Sequence, residues 1–125
     1  MDRIQKLEAE IQRIKEEEAD KKKAKYQYLV GQCLHRAHTS YEKITAIDRV
    51  STDRYGDEIV FDCIHVHFDN RGDEYNSGAS IQLDGYGQDY AQDIDGHTIS
   101  LDVFNKALND CVDLIRRKIK KNKNK

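Results

Sequence analysis

The sequence predicts an α+β fold: an N-terminal coiled-coil helix, a small antiparallel β-sheet or barrel-like domain, and a C-terminal packing helix. Three observations predict it. Ile4, Leu7, Ile11 and Ile14 recur at 3-4-3 spacing near the start. Four β-rich segments then follow one another with polar turns and no helix between them. Phe104, Leu108, Cys111, Ile115 and Ile119 finally form an apolar stripe at helical spacing.

The first segment, 1–25, is a charged helix whose four apolar residues occupy positions a, d, a and d of two heptads. In a parallel pair, g meets e of the next heptad on the other chain. That matches Arg3 with Glu8, Glu10 with Lys15, and Glu17 with Lys22, three attractive contacts. In an antiparallel pair, Glu10 would meet its own copy. The seam stops at Glu18 and Lys21, which fall at the next a and d positions. A parallel homodimer is therefore favoured, against a solvated helix that docks its stripe on its own domain.

The second segment, 26–121, holds strand candidates at 28–35, 41–50, 58–69 and 78–84, separated by turns at 39–40, 52–57 and 70–78. The third is the clearest: Val60, Ile64, Val66 and Phe68 share one face and Phe61, Cys63, His65, His67 and Asp69 the other. With no helix between strands, parallel βαβ units are excluded. The closing helix starts with Ser100 as N-cap and Asp102 in its first turn. Ala107 and Val112 flank its stripe, which packs across the sheet or plugs a barrel end. A basic tail, 122–125, is expected to fray.

Charged residues make up 35% of the 125 and hydrophobic residues 38%, yet the formal net charge is −2. Neither a polyanion nor a broadly basic nucleic-acid binder fits that balance. The ends carry the asymmetry: seven of the last ten residues are Lys or Arg, while Asp84, Asp89, Asp93 and Asp95 crowd one short stretch. Three Cys without a CxxC pair give no structural zinc pattern. With no secretory leader and no long apolar run, a cytoplasmic protein without membrane association is expected.

Cys63, His65 and His67 are the strongest chemical constellation, since i, i+2 and i+4 project from one strand face and His pairs on strands hold zinc. Cys33-x-His35 repeats the spacing on the first strand, and five ligands would converge if those strands were neighbours. Co-facial residues also arise from simple alternation, so a polar, ligand-contacting face is favoured over a metal site, and no cofactor is expected. Neither a nucleophile motif nor a phosphate loop is present, which points away from an enzyme. Asp93-x-Asp95-Gly96 matches only a fragment of a calcium loop.

All seven Tyr lie between positions 26 and 90, most of them near strand ends or turns. Aromatics over a rigid sheet add contact area at low entropy cost. Tyr86, Asp89, Tyr90 and Asp93, in what reads as an acidic loop over 84–95, together with His65 and His67, are the candidate contacts for a protein partner. Arg116, Arg117, Lys120 and Lys121 are the alternative, a phosphate-binding patch for nucleic acid or a nucleotide.

The short coiled-coil lead, the LVGQC step and the TISLDVFNKAL helix together resemble small accessory proteins of phages and other mobile elements of low-GC bacteria, some of which carry Src-homology-like barrels. The resemblance implies a binding protein that blocks a host protein, as anti-CRISPR and other counter-defence inhibitors do, or one that sequesters a signalling nucleotide. No family motif carries functional residues over.

Overall fold

The computed structural model describes residues 2–69 and 78–123, with side chains through Lys120. Helix α1 spans Arg3–Lys25 and leads through a single 3-10 turn, Gln27–Leu29, into the sheet. Strands β1 (Cys33–Ala37), β2 (Ser40–Asp53), β3 (Gly56–Asp69) and β4 (Gly78–Tyr90) follow, then α2 (Ala91–Gly96), β5 (Thr98–Ile99) and α3 (Leu101–Lys123). All pairings are antiparallel and the order is β4-β3-β2-β1-β5, so the sheet is open, with β4 and β5 at its edges, and not a barrel.

The β2–β3 hairpin is the backbone of the sheet. Gly56 takes φ +122°, which an L side chain rarely adopts, and the Asp53 carboxylate accepts from the Tyr55 N–H at 2.7 Å to close the turn. Two bulges in β2 let Ile44, Ile47 and Val50, spaced by three, all lie opposite Cys63, Phe61 and Ile59 on one face. A third irregularity, in β4, follows Cys63 and Gly85.

Each face of β3 is apolar, but at opposite ends. On one face Ile59, Phe61 and Cys63 pack with Leu34, Ile44 and Ile47, and the lid over them is Tyr26, Leu29 and Ile94. On the other face Val66 is buried with Cys33, flanked by Ile64 and Phe68, beneath Phe104 and Cys111 of α3. Of the expected stripe of α3, Phe104 and Cys111 are buried, Leu108 and Ile115 are half-buried against them, and Ile119 stays exposed. Ser100 caps this helix, its Oγ accepting from the Val103 N–H at 3.2 Å.

Several boundaries differ from expectation. Tyr28 and Leu29 of the first candidate strand belong to the 3-10 turn, which folds Leu29 into the core, and Val30 and Gly31 turn the chain towards β1. The stretch DGYGQDY is not loop: it extends β4 to Tyr90, and only 91–96 leaves the sheet, as a helix. The two-residue β5 was not anticipated. Helix α3 continues past 121 to Lys123, and residues 124–125, like most of the turn expected at 70–78, lie outside the described residues.

Gly87 has a packing reason. A Cβ there would sit 2.5 Å from Cζ of Phe61 and 2.7 Å from Nη2 of Arg36. Gly87→Ala is expected to destabilise the fold by about 1–3 kcal/mol, the usual range for overpacking. Urea denaturation measures this, and an unchanged midpoint would show that Phe61 does not press on β4 as described.

Candidate functional site

Four of the seven tyrosines meet at one end of the sheet. Tyr26 caps α1, Tyr28 lies in the 3-10 turn, Tyr55 tips the β2–β3 hairpin and Tyr90 ends β4. Together with Lys25, Asp57, Gln92 and Asp95 they line an open cleft of about 360 Å³. Their rings form two pairs, Tyr26 with Tyr28 and Tyr55 with Tyr90, each with centroids 6.3 Å apart.

Three of the phenols donate to carboxylates. Tyr26 Oη reaches Asp57 Oδ2 at 2.5 Å, Tyr90 Oη reaches Asp53 Oδ2 at 2.6 Å, and Tyr28 Oη makes long contacts of 3.4 and 3.5 Å with the Asp95 carboxylate. Asp57 also accepts from Thr52 Oγ1 at 2.7 Å and faces Lys25 Nζ at 3.7 Å. The Thr52 and then the Tyr26 hydrogen bond hold the Asp57 carboxyl below its ordinary range. Asp95 is the least firmly engaged of the three.

Burial first, and then the bond to Asp57, pushes the Tyr26 phenol up to about 12; the bond to Asp53 is the main cause of the same rise at Tyr90. These phenols stay protonated at neutral pH. They offer ring faces and fixed hydrogen bonds, not a base. The rings already attract cations of the chain itself: the Arg54 guanidinium lies 4.7 Å from the Tyr55 centroid, and Lys25 Nζ lies 5.4 Å from that of Tyr26. Electron-rich ring faces flanked by carboxylates complement an incoming cationic side chain.

A second ionic cluster is structural. Arg36 grips the buried Glu42 with two bonds, 2.7 and 2.8 Å, and reaches Asp89 at 3.1 Å, while its guanidinium lies 5.3 Å from the Phe61 centroid. The Cys63 thiol lies 3.8 Å from Glu42, and burial beside that carboxylate pushes it up to about 12. Burial also raises Cys33 and Cys111. A second cavity, about 320 Å³, opens between the β1–β2 turn and α3, lined by His38, Tyr41, Phe68, Ala107 and Leu114 among others.

The candidate contacts named from sequence therefore part company. Tyr90 lines the cleft, and Asp93 lies on α2, its carbonyl 2.6 Å from His97 Nδ1. Asp89 is taken up by Arg36. Tyr86 is 70% exposed but stands on the edge strand opposite Asp62, outside the cleft lining. His65 and His67 are half-buried with centroids 6.0 Å apart, and His67 Nδ1 lies 3.3 Å from Ser40 Oγ. Cys33 packs on the face opposite Cys63, and β2 separates their strands, so the five-ligand convergence does not occur. Among the described residues no group of three His, Cys, Asp or Glu is disposed to hold a metal ion, Asp93 and Asp95 included.

Arg116, Arg117 and Lys120 are exposed on the last turns of α3; the Lys121 side chain lies outside those described. Ile4, Leu7, Ile11 and Ile14 are 45–67% exposed on α1. Among the described residues no helix is long and apolar enough to cross a membrane. Tyr26, Tyr28, Tyr55 and Asp57 were missed because their partners are far apart in sequence; Asp95 belonged to the acidic stretch read over 84–95 but was not named as a contact, and the restriction of tyrosine to 26–90 was the other signal. No family model, curated protein or solved structure matches the chain.

The phenols fix how the cleft responds to base. With their folded values raised from 10 to about 12, Tyr26 and Tyr90 contribute stability that is full below pH 10 and lost as the pH climbs through 12. The Cys63 thiol, raised from 9, acts with the same sign. Tyr26→Phe should therefore lose less folding free energy than the parent protein across that window, measured by denaturant titration at several pH values. Identical alkaline losses would contradict the Tyr26–Asp57 bond.

Proposed function

We propose that this chain is a non-enzymatic binding module that captures a protein partner stoichiometrically, taking an Arg- or Lys-bearing segment of it into the tyrosine cleft. The observation that carries this reading is the cleft's composition: four rings and the Asp57 and Asp95 carboxylates around about 360 Å³, with Tyr26 fixed to Asp57 and Tyr90 fixed to Asp53 by short hydrogen bonds. Small binding sites of this size use few placed polar groups and aromatic walls, and preorganisation reduces the entropy lost on binding. The three thiols support a role without covalent chemistry, since burial disfavours the thiolate that nucleophilic attack requires. The resemblance to small phage accessory proteins supplies a setting, a cytoplasmic inhibitor of the counter-defence type that blocks a host protein.

Fluorescence anisotropy with an arginine-containing peptide, and with a matched glutamate peptide as control, tests the reading on the full chain. The arginine peptide should bind and the control should not. Tyr28→Ala and Asp95→Asn should each weaken binding about two- to thirtyfold, as expected for cation–π and charge-assisted contacts of about 0.5–2 kcal/mol. Full affinity in both variants would overturn the site. Binding of an oligonucleotide instead, steeply salt-dependent and abolished by Arg116→Glu with Arg117→Glu, would favour the phosphate-binding alternative.

A further inference from the structure

Helix α1 leaves its apolar stripe uncovered. None of its 23 residues is buried, and only Lys22 and Lys23, beside the domain, are half-buried. The helix is well started, with a complete capping box between Asp2 and Gln5, and its last turn carries Lys22, Lys23 and Lys25, which suit the dipole. A helix of this length gains most of its persistence from packing an apolar face. Here the domain supplies no such packing.

We infer that α1 pairs in parallel with α1 of a second copy, and that the pair sets two tyrosine clefts beside the same end of the coil. The occupant is chosen by charge. A parallel register places Arg3 against Glu8, Glu10 against Lys15, and Glu17 against Lys22 of the second copy, opposite signs at every g–e position. In the first heptad isoleucine at a with leucine at d suits a two-stranded coil, whereas the second has isoleucine at both, so the charge pairing and not the core decides the occupant. Glu18 and Lys21 then meet their own copies at the next a and d layers, so the seam opens after Ile14. Glu10 and Arg13 are also an i,i+3 pair at 3.7 Å, both exposed, and a pair so weak yields readily to a contact between chains.

The link to the cleft is covalent and short. Lys25 and Tyr26, which end α1, line it. Ile14, the last apolar seam residue, lies 12 residues before Tyr26, about 18 Å of helix at 1.5 Å per residue. The two clefts therefore flank one opened coil end. This arrangement rests on the cleft reading for its purpose, though the pairing of helices does not. A partner with two basic segments would be held far more tightly than one with a single segment, because the second contact becomes intramolecular.

Light scattering and sedimentation of the full chain, over a concentration series, give the first test. The expected mass is twice the 14.5 kDa of one chain at the upper concentrations. Ile11→Lys should return it to one chain that is still folded, with the midpoint of the parent protein at dilutions where the parent is also a single chain, because Ile11 is exposed and outside the domain core. Leu7→Cys tests direction: in the parallel register position 7 meets itself and oxidation links two chains, whereas the antiparallel register sets it against Ile11. A monomer at every concentration overturns the inference, and so does a dimer that Ile11→Lys leaves intact or Leu7→Cys fails to link. A tandem peptide with two arginine segments should bind the dimer at least tenfold more tightly than the single peptide, and Ile11→Lys should remove that gain. Equal affinities would overturn the paired clefts while leaving the mass to decide the coil; failure of the single peptide to bind would instead refute the cleft.

Discussion

The fold is governed by one constraint: strand β3 is apolar on both faces, at opposite ends, and of the two long helices among the described residues only α3 lays its apolar stripe on it. Helix α3 takes the face of Val66 and leaves Ile59, Phe61 and Cys63 to be covered by something else. Burying these is worth on the order of 2 kcal/mol per large side chain. The 3-10 turn and α2 do it, with Tyr26, Leu29 and Ile94 as their inward residues. Because those two short elements must lie against the hairpin end of the sheet, Tyr26 and Tyr28 and Asp95 arrive beside Tyr55, Asp57 and Tyr90. The cleft is what that cover leaves open on its outer side.

Arg36 and Glu42 mark the limit of this apolar patch. Beyond them the same face turns polar, with Ser40, His65 and His67. A buried carboxylate is tolerated there because a guanidinium grips it twice, and removing either partner would leave a charge in a dry place. The same guanidinium reaches across to Asp89 and lies over Phe61 against Gly87, joining β1, β2 and the edge strand β4. The Asp, Gly and bulge content of β4 also makes a poor template for a further strand.

Both long helices and β3 were legible in the sequence, since each carries a clean period over enough residues. Strand β2 was recognised as a strand but its faces were not, because Ile44, Ile47 and Val50 recur every three residues and share a face only through two bulges. The glycines in DGYGQDY read as loop; in the fold they are strand positions that Phe61, Arg36 and His65 crowd. The YLVG stretch carries strand-forming residues, yet tertiary packing places Tyr28 and Leu29 in a 3-10 turn and Val30 and Gly31 in the turn that follows it. As for the site, the concentration of tyrosine suggested a binding surface, and Tyr90 was named. The carboxylates were not, because the Tyr–Asp pairs span 31, 37 and 67 residues, and no local pattern encodes such distances.

Residue-resolved NMR during titration with the arginine peptide tests the central claim most directly, that cover of the Phe61 face builds the receptor for a basic segment. The account predicts shift changes that converge on 25–28, 55–57 and 90–95 and leave the Val66 face and the end of α3 untouched. Changes centred on Arg116 and Arg117, or on His65 and His67, would contradict it.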